Sequence, residues 1–137
     1  MKDSVSLTLR ENMAFDVEIN GHKMIIDTAA DYGGNDMGPR PKSLMLAALG
    51  GCTGMDMASI LRKMKIDFKG LRIKVDGNVT HDHPRHFDHM HIIYYVSGKD
   101  LPRDKVEHAA SLSQEKYCGV THNYRASMKI THEIVYE

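Results

Sequence analysis

The feature that most constrains the fold is one long apolar run that begins at Pro41 and ends near Met64. Proline suits the first turn of a helix because its φ angle is fixed and its missing N–H donor is not needed there. The run PKSLMLAALGGCTGMDMASILRKM is otherwise rich in helix formers, and its apolar residues surround nearly the whole circumference. Because a helix that is apolar on all sides is buried, the sequence predicts a long, buried central helix.

Two adjacent glycines, Gly50 and Gly51, lie inside this predicted helix and immediately precede Cys52. Each costs roughly 1 kcal/mol relative to alanine in a helix interior. That cost is tolerable where another backbone or a ligand must approach the helix closely. The two glycines therefore indicate such an approach next to Cys52.

The rest of the chain has the alternation and turn signals of strands and one further helix. An Asn-Gly turn separates the second and third strands of a predicted antiparallel meander. Two long strands are expected to form a hairpin after the central helix, and a second helix and a last strand follow. In order, the predicted elements are strands 5–9, 15–19 and 23–27, the central helix from Pro41, strands 71–80 and 87–98, a helix from Pro102 to about Glu115, and a strand within 125–137.

This order, βββαββαβ, predicts an α+β fold. The 137 residues suffice for one compact core, so we expect a single domain over residues 1–137. Lysine plus arginine and aspartate plus glutamate number 18 each, so no net field draws in nucleic acid or an acidic membrane surface. The N-terminus lacks the apolar stretch of a signal peptide, and we judge no segment apolar enough, for long enough, to cross a bilayer. We therefore expect a cytoplasmic protein with neither nucleic-acid nor membrane partners.

The only two cysteines are Cys52, in the central helix, and Cys118, just past the end of the second helix. A reducing compartment keeps such a pair as thiols, so any disulfide between them should be transient. Taken alone, Cys52 is best explained as core packing and Cys118 as a small hydrophobe in a surface loop. If the sulfurs meet, Cys52 can attack a peroxide to become a sulfenic acid, with which Cys118 condenses. A reactive Cys52 needs a nearby cation, for which Arg10, Arg40 and Lys42 are the candidates.

Four segments together resemble the OsmC/Ohr family of organic hydroperoxide reductases: the central-helix run, the strand LRIKVDGNVT, the loop HPRHF and the later LSQEKYCGVT. The resemblance covers nearly the whole chain. It implies an OsmC-like fold in an intertwined homodimer, with Cys52 as the peroxidatic thiol and Cys118 as the resolving thiol. It further implies an organic hydroperoxide substrate, a dithiol reductant of lipoyl type, an arginine best matched by Arg10, and no metal or organic cofactor. The chain would then be a peroxiredoxin-like enzyme of the oxidative stress response.

The sequence departs from the peroxidase branches of the family at one position. Those branches carry a glutamate just after the proline that opens the central helix, where it holds an arginine against the thiolate. Here Lys42 and Ser43 follow Pro41. The departure keeps a second hypothesis open, a noncatalytic dimer that binds a small apolar ligand or acts as a redox-responsive partner.

Two further features of the sequence, a histidine-rich segment and Asp56, are candidate sites. The segment THDHPRHFDHMHI holds histidines at positions 81, 83, 86, 89 and 91, but their spacing matches no closed zinc pattern, so a solvated strand face and turn is the better interpretation. Asp56 lies four residues after Cys52, one helical turn away, where its carboxylate would oppose thiolate formation. A role in capping or in facing a dimer partner is the alternative for Asp56.

Overall fold

The structure is a computed structural model that describes residues 1–137, and it divides into two compact units, Met1–Met45 and Leu46–Glu137. The single domain expected from the sequence stays a prediction. The predicted α+β class is confirmed: the elements are β1 (Val5–Leu9), β2 (Phe15–Ile19), β3 (His22–Ile26), α1 (Pro41–Lys63), β4 (Gly70–Val79), β5 (Phe87–Ser97), α2 (Arg103–Leu112), α3 (Gly119–Arg125) and β6 (Lys129–Tyr136).

The N-terminal unit is built on the predicted meander, an antiparallel sheet of order β1-β2-β3. Directly opposed residues of an antiparallel pair share one face of the sheet. The opposed pairs Val5 with Ile19 and Leu7 with Val17 therefore make one apolar face. On β1 this face is open to solvent, with Val5 50%, Leu7 48% and Leu9 57% exposed.

The C-terminal unit is built on a second sheet of order β4-β5-β6. The predicted hairpin of β4 and β5 is antiparallel, whereas β5 and β6 are parallel. Parallel neighbours need a crossover connection, and here that connection carries α2, α3 and Cys118. One face of β5, its inner face, is fully buried. It consists of alternate residues along the strand, Met90, Ile92, Tyr94 and Val96.

Helix α1 packs on this inner face through close contacts at its glycines. A Cβ atom on Gly50 would lie 3.2 Å from Val75 Cγ2, and one on Gly54 would lie 3.1 Å from Ile73 Cγ1. Gly51 has open space on its side. The close approach expected at the glycine pair therefore occurs at Gly50, and the sheet side chains make it.

Burial of α1 differs from the prediction. Its buried residues form one stripe with a spacing of four residues, Leu49, Thr53, Met57 and Leu61, while Met55 is 76% exposed. The expectation of a helix buried on most sides is therefore wrong for the single chain, because one sheet covers only one face of a helix.

The length and composition of α1 bear on the expectation that no segment could cross a bilayer. This helix is long enough and apolar enough to cross a bilayer, contrary to the judgement made from the sequence. The core helix of a soluble protein passes the same test. The buried stripe of α1 includes the hydroxyl of Thr53, which is hydrogen bonded to Tyr94 on β5, as expected for a helix that packs on a sheet.

The loop between β3 and α1 is organised by the buried carboxylate of Asp27. It accepts hydrogen bonds from the backbone N–H groups of Thr28 at 2.7 Å and of Asn35 and Met37 at 3.1 Å each. The Met37 bond above all lowers the pKa of Asp27 below its ordinary value of 3.8. The charged carboxylate therefore fixes both ends of the loop.

We expect Asp27→Asn to destabilise the chain near neutral pH. In the variant an amide nitrogen, which cannot accept a hydrogen bond, faces backbone N–H groups that donate to a carboxylate oxygen in the wild type. Since the folded pKa lies below the unfolded pKa, the stabilisation is present above pH 3.8 and is lost as pH falls through the folded value. Thermal unfolding between pH 7 and pH 3 should show the wild type and Asp27→Asn converging as the pH falls. The exposed Asp31→Asn is the control, and parallel curves would contradict the prediction.

Candidate active site

The structure brings the two cysteines of the C-terminal unit together beside one carboxylate. The sulfur atoms of Cys52 and Cys118 and a carboxylate oxygen of Asp56 all lie within 4.8 Å of one another. Cys52 is half-buried on α1, and Cys118 is buried just before α3. Both are free thiols, so a disulfide between them requires only that their side chains close a short remaining distance.

A wide helical turn places Cys118. After α2 the chain forms a single π-helical turn, Ser113–Tyr117, and the N–H of Cys118 donates to the carbonyl of Ser113 at 2.7 Å. Cys118 then leaves the helical conformation and caps the N-terminus of α3, where its sulfur accepts from the N–H of Thr121 at 3.4 Å. Turns of this kind occur often at functional sites.

The short helix α3 corrects the predicted position of Cys118. The sequence suggested a junction between a helix and a strand, whereas seven residues of helix, Gly119–Arg125, lie between Cys118 and β6. The run is too short to show a helical period, and its glycine and asparagine are typical of a loop. As a consequence, Cys118 is 3% exposed instead of being in an accessible loop.

A buried set of polar side chains holds α1, β5 and the π turn together beneath the thiols. The hydroxyl of Thr53 lies 2.5 Å from Tyr94 Oη and 2.7 Å from Ser113 Oγ, and it accepts from Gln114 Nε2 at 3.0 Å. Gln114 Nε2 also donates to Tyr94 Oη at 3.1 Å, and Thr121 Oγ1 donates to Gln114 Oε1 at 3.2 Å. No buried side-chain nitrogen or oxygen lacks a hydrogen-bond partner.

The number of protons available determines which hydroxyl group donates in each of these hydrogen bonds. Ser113 Oγ donates its one proton to Asp56 Oδ2 at 2.8 Å, so Thr53 must donate to Ser113. Tyr94 must then donate to Thr53. Burial raises the pKa of Tyr94, which keeps its phenol protonated as this direction requires. The chain of donors ends on the Asp56 carboxylate.

The sequence pattern did not single out Thr53, Ser113 or Gln114. A signal was available, because the apolar side of α2, with Val106, Ala109 and Ala110, continues at helical spacing onto two polar residues that are also buried. Polar residues on the apolar side of a helix need buried partners. Only the tertiary structure supplies those partners.

The charges near Cys52 oppose its ionisation. Burial is the largest cause that raises the pKa of Cys52 above its ordinary value of 9.0, and the neighbouring Cys118 and Asp56 raise it further. A hydrogen bond from the backbone N–H of Val120, in α3, acts in the other direction. The sequence-based expectation that Asp56 would oppose the thiolate agrees with this arrangement.

The cations suggested by the sequence lie outside the C-terminal unit. Arg10, which follows β1, is 3.9 Å from Asp16 Oδ1, and Arg40 donates to Asp36 Oδ1 at 2.6 Å. Lys42 lies in the first turn of α1. Activation of Cys52 by any of them stays a prediction.

The histidines of residues 81–91 are divided between the loop after β4 and strand β5. His81, His83 and His86 lie in the exposed loop after β4, and His89 and His91 share a face of β5, as predicted. Both strand histidines hydrogen bond to the hydroxyl of Thr131 at 2.7 Å, and His91 lies 3.5 Å from Glu133. The group whose donor atoms converge closely enough to hold one metal ion is instead Cys52, Asp56 and Cys118.

Two grooves open around the site, one at Asp56 and the other at Cys118. One, of about 440 Å³, runs from Asp56 along α1 and has an apolar wall formed by Ile60, Met64, Leu112 and Tyr117. The other, of about 370 Å³, lies over Cys118 and is lined by the polar side chains of Gln114, Glu115, Lys116, His122, Asn123 and Arg125. The site thus has one apolar and one polar approach.

Comparisons with known proteins agree with the resemblance seen in the sequence. The family model described as OsmC-like protein matches residues 33–133. Protein YhfA of Escherichia coli K12 is 34% identical over 113 residues, which are 82% of this chain and 81% of YhfA.

Solved structures share the fold. A hypothetical protein from Aquifex aeolicus VF5 superposes with a TM-score of 0.84 at 28% identity, over 100% of this chain and 98% of that one. The organic hydroperoxide resistance protein OhrB of Bacillus subtilis superposes with a TM-score of 0.66 at 19% identity, over 98% of each chain. At that identity, the likeness to OhrB shows the fold alone.

Asp56→Asn should make Cys52 more reactive, because it removes a negative charge that raises the pKa of the thiol. Each unit by which that pKa falls gives about ten times more thiolate at neutral pH. We expect alkylation of Cys52 by iodoacetamide, followed by peptide mass spectrometry across a pH series, to have its midpoint at lower pH in the variant. Asp67→Asn, an exposed position beyond α1, is the control. An unshifted midpoint in Asp56→Asn would contradict the electrostatic role.

Proposed function

Since the chain belongs to the OsmC-like protein family, we propose that it is a peroxiredoxin-like enzyme that reduces organic hydroperoxides with Cys52 as peroxidatic thiol and Cys118 as resolving thiol. The observation that carries the proposal is the convergence of the chain's two thiols within 4.8 Å. They are the only cysteines, they are distant in sequence, and each sulfur faces a backbone N–H of α3.

The proposed reaction has three balanced steps. The Cys52 thiolate attacks one peroxide oxygen, the O–O bond breaks, and with one proton the products are an alcohol and a sulfenic acid on Cys52. The Cys118 sulfur then attacks the Cys52 sulfur, which releases water and leaves a disulfide. A dithiol reductant, of lipoyl type by family resemblance, reduces this disulfide and becomes a cyclic disulfide itself.

Cys52 suits the first role and Cys118 the second by exposure. Cys52 is half-buried, whereas Cys118 is only 3% exposed at the floor of the polar groove, so Cys52 is the more exposed of the two thiols. The apolar wall of the larger groove would take the organic part of the hydroperoxide, and Asp56 at its end lies beside the reacting sulfur. This supports alkyl over hydrogen peroxide as the substrate class.

The activating cation is assigned to Arg10 by family resemblance, and it would have to act against Asp56. A guanidinium beside the thiolate would lower the pKa that burial, Cys118 and Asp56 raise. A cytoplasmic location, where the thiols stay reduced, fits the proposal.

The raised pKa of Cys52 favours the second candidate function, a noncatalytic, redox-responsive or ligand-binding protein. With little thiolate at neutral pH, the thiol pair would respond to peroxide slowly. The two candidates share a site and differ in the rate of the first step.

Purified reduced protein mixed with cumene hydroperoxide tests the choice. We expect the wild type to lose both thiols per equivalent of peroxide and to turn over when dihydrolipoamide is added. Cys118→Ser should consume one equivalent and retain a sulfenic acid that dimedone traps, whereas Cys52→Ser should consume none. Wild type that consumes no more peroxide than Cys52→Ser overturns the enzyme proposal and favours the second candidate.

A homodimer is the partner that the surface supports. The apolar face of the N-terminal sheet is open on β1, and the Met55 side chain of α1 is 76% exposed. Contiguous apolar surface that is exposed in a single chain often marks an interaction site. A second copy of the chain, which the family resemblance implies, would cover both.

Leu7→Lys should weaken this dimer, because it places a charge in the middle of the apolar face. Thr8→Lys, on the other face of β1 and opposite Asp16, is the matched control. Light scattering after gel filtration should give twice the chain mass for the wild type and Thr8→Lys, and a lower mass for Leu7→Lys that keeps its circular dichroism. A monomeric wild type would rule out the dimer.

A further inference from the structure

We propose that Cys52, Asp56 and Cys118 form a binding site for a thiophilic divalent ion such as Zn²⁺ or Cd²⁺, which blocks the thiol pair reversibly. The ion would be an inhibitor and protector of the site, separate from any resident cofactor. Binding itself is independent of the proposed peroxidase function; only its inhibitory consequence rests on that function.

The positions of the donor atoms carry the proposal. The two sulfurs and one carboxylate oxygen lie within 4.8 Å of one another. Around tetrahedral zinc, with bonds of about 2.3 Å to sulfur and 2.0–2.2 Å to oxygen, such atoms are roughly 3.5–3.8 Å apart. Side-chain adjustments of about an ångström therefore suffice to close the three ligands on an ion, and a fourth position stays open for water.

The surroundings hold each donor in place. Ser113 donates to Asp56 Oδ2, which leaves Oδ1 available, and the Thr121 N–H donates to the Cys118 sulfur. The Val120 N–H donates to Cys52. Hydrogen bonds that orient metal ligands in this way are a regular part of metal sites. The buried hydroxyl network behind Asp56 fixes the carboxylate further.

The donor set selects the class of ion. Two thiolates with one carboxylate suit zinc and cadmium, whereas magnesium and calcium take oxygen ligands. The charges also match, because the Asp56 carboxylate lies within 4.8 Å of both sulfurs and would attract a divalent cation to them. Binding displaces the two thiol protons, so the affinity should rise with pH.

The consequence for redox chemistry follows from the shared sulfurs. An ion held by both thiolates occupies the lone pairs that would attack a peroxide. If a hydroperoxide does oxidise the pair, two thiolates, one hydroperoxide and two protons give the disulfide, an alcohol and water, and the ion leaves. Metal binding and disulfide formation are therefore mutually exclusive states of one site.

Titration of reduced full-length protein with Zn²⁺ against a chromophoric chelator tests binding without any peroxide. We expect one ion per chain, and with Cd²⁺ an ultraviolet thiolate-to-metal charge-transfer band. Cys52→Ser and Cys118→Ser should each weaken binding and diminish the band. Asp56→Asn should weaken Zn²⁺ binding at least about ten-fold, a loss of about 1.4 kcal/mol, while Asp67→Asn leaves it unchanged.

The controls separate this proposal from its alternatives. Binding that survives unchanged in a Cys52→Ser/Cys118→Ser double variant, with no charge-transfer band, would place the ion at ligands other than the thiols, such as the histidines of residues 81–91, and would overturn the proposal. Equal affinity of Asp56→Asn and wild type would remove Asp56 from the site. Peroxide consumption measured with a chelator present reports on the proposed function alone, so either proposal can fail without the other.

Discussion

The hydrogen bond from Ser113 to Asp56 sets the arrangement on which the site depends. Because a hydroxyl has one proton, that bond fixes the direction of the two hydroxyl–hydroxyl bonds behind it, from Tyr94 to Thr53 and from Thr53 to Ser113. The network joins α1 to β5 and to the π turn. Those elements carry Cys52 and position Cys118. The hydrogen bonds among the buried hydroxyl groups therefore bring the two thiols together.

The same carboxylate gives the site its electrostatic character. Burial and the neighbouring Asp56 carboxylate raise the pKa of Cys52, which disfavours its attack on peroxide as a thiolate and favours the approach of a cation. Reactivity in such a site depends on how much positive charge reaches it. Arg10, to which the family resemblance assigns this role, and a bound divalent ion would each supply positive charge. Arg10 would promote turnover, whereas the ion would block it.

Much of the fold could be predicted from the sequence, because it rests on local patterns. The strands 5–9 and 15–19 and the start of α1 at Pro41 are where periodicity and the proline placed them. Helix α3 was missed because seven residues are too few to show a period. The degree of burial of α1 was overestimated, since apolar composition shows what a helix can bury and not what one chain offers to cover it.

The site divides in the same way. Cys52 and Cys118 could be found by counting, and Asp56 by its helical spacing from Cys52. Helical spacing could mark Ser113 and Gln114 as buried, but the partners of Thr53, Ser113 and Gln114 could not be predicted. Their contacts span 57 to 61 positions in sequence. The sequence alone does not show whether a polar residue of a helix faces water or a buried tyrosine.

The π turn before Cys118 makes the thiol pair sensitive to chain length. Successive residues of an ordinary helix are rotated by about 100° around its axis, so one residue more or less redirects every side chain that follows. Here the wide turn leaves Tyr117 exposed and Cys118 buried. A single-codon insertion or deletion between α2 and α3 would therefore move the Cys118 side chain out of its buried position and separate the thiol pair, with no substitution at either cysteine.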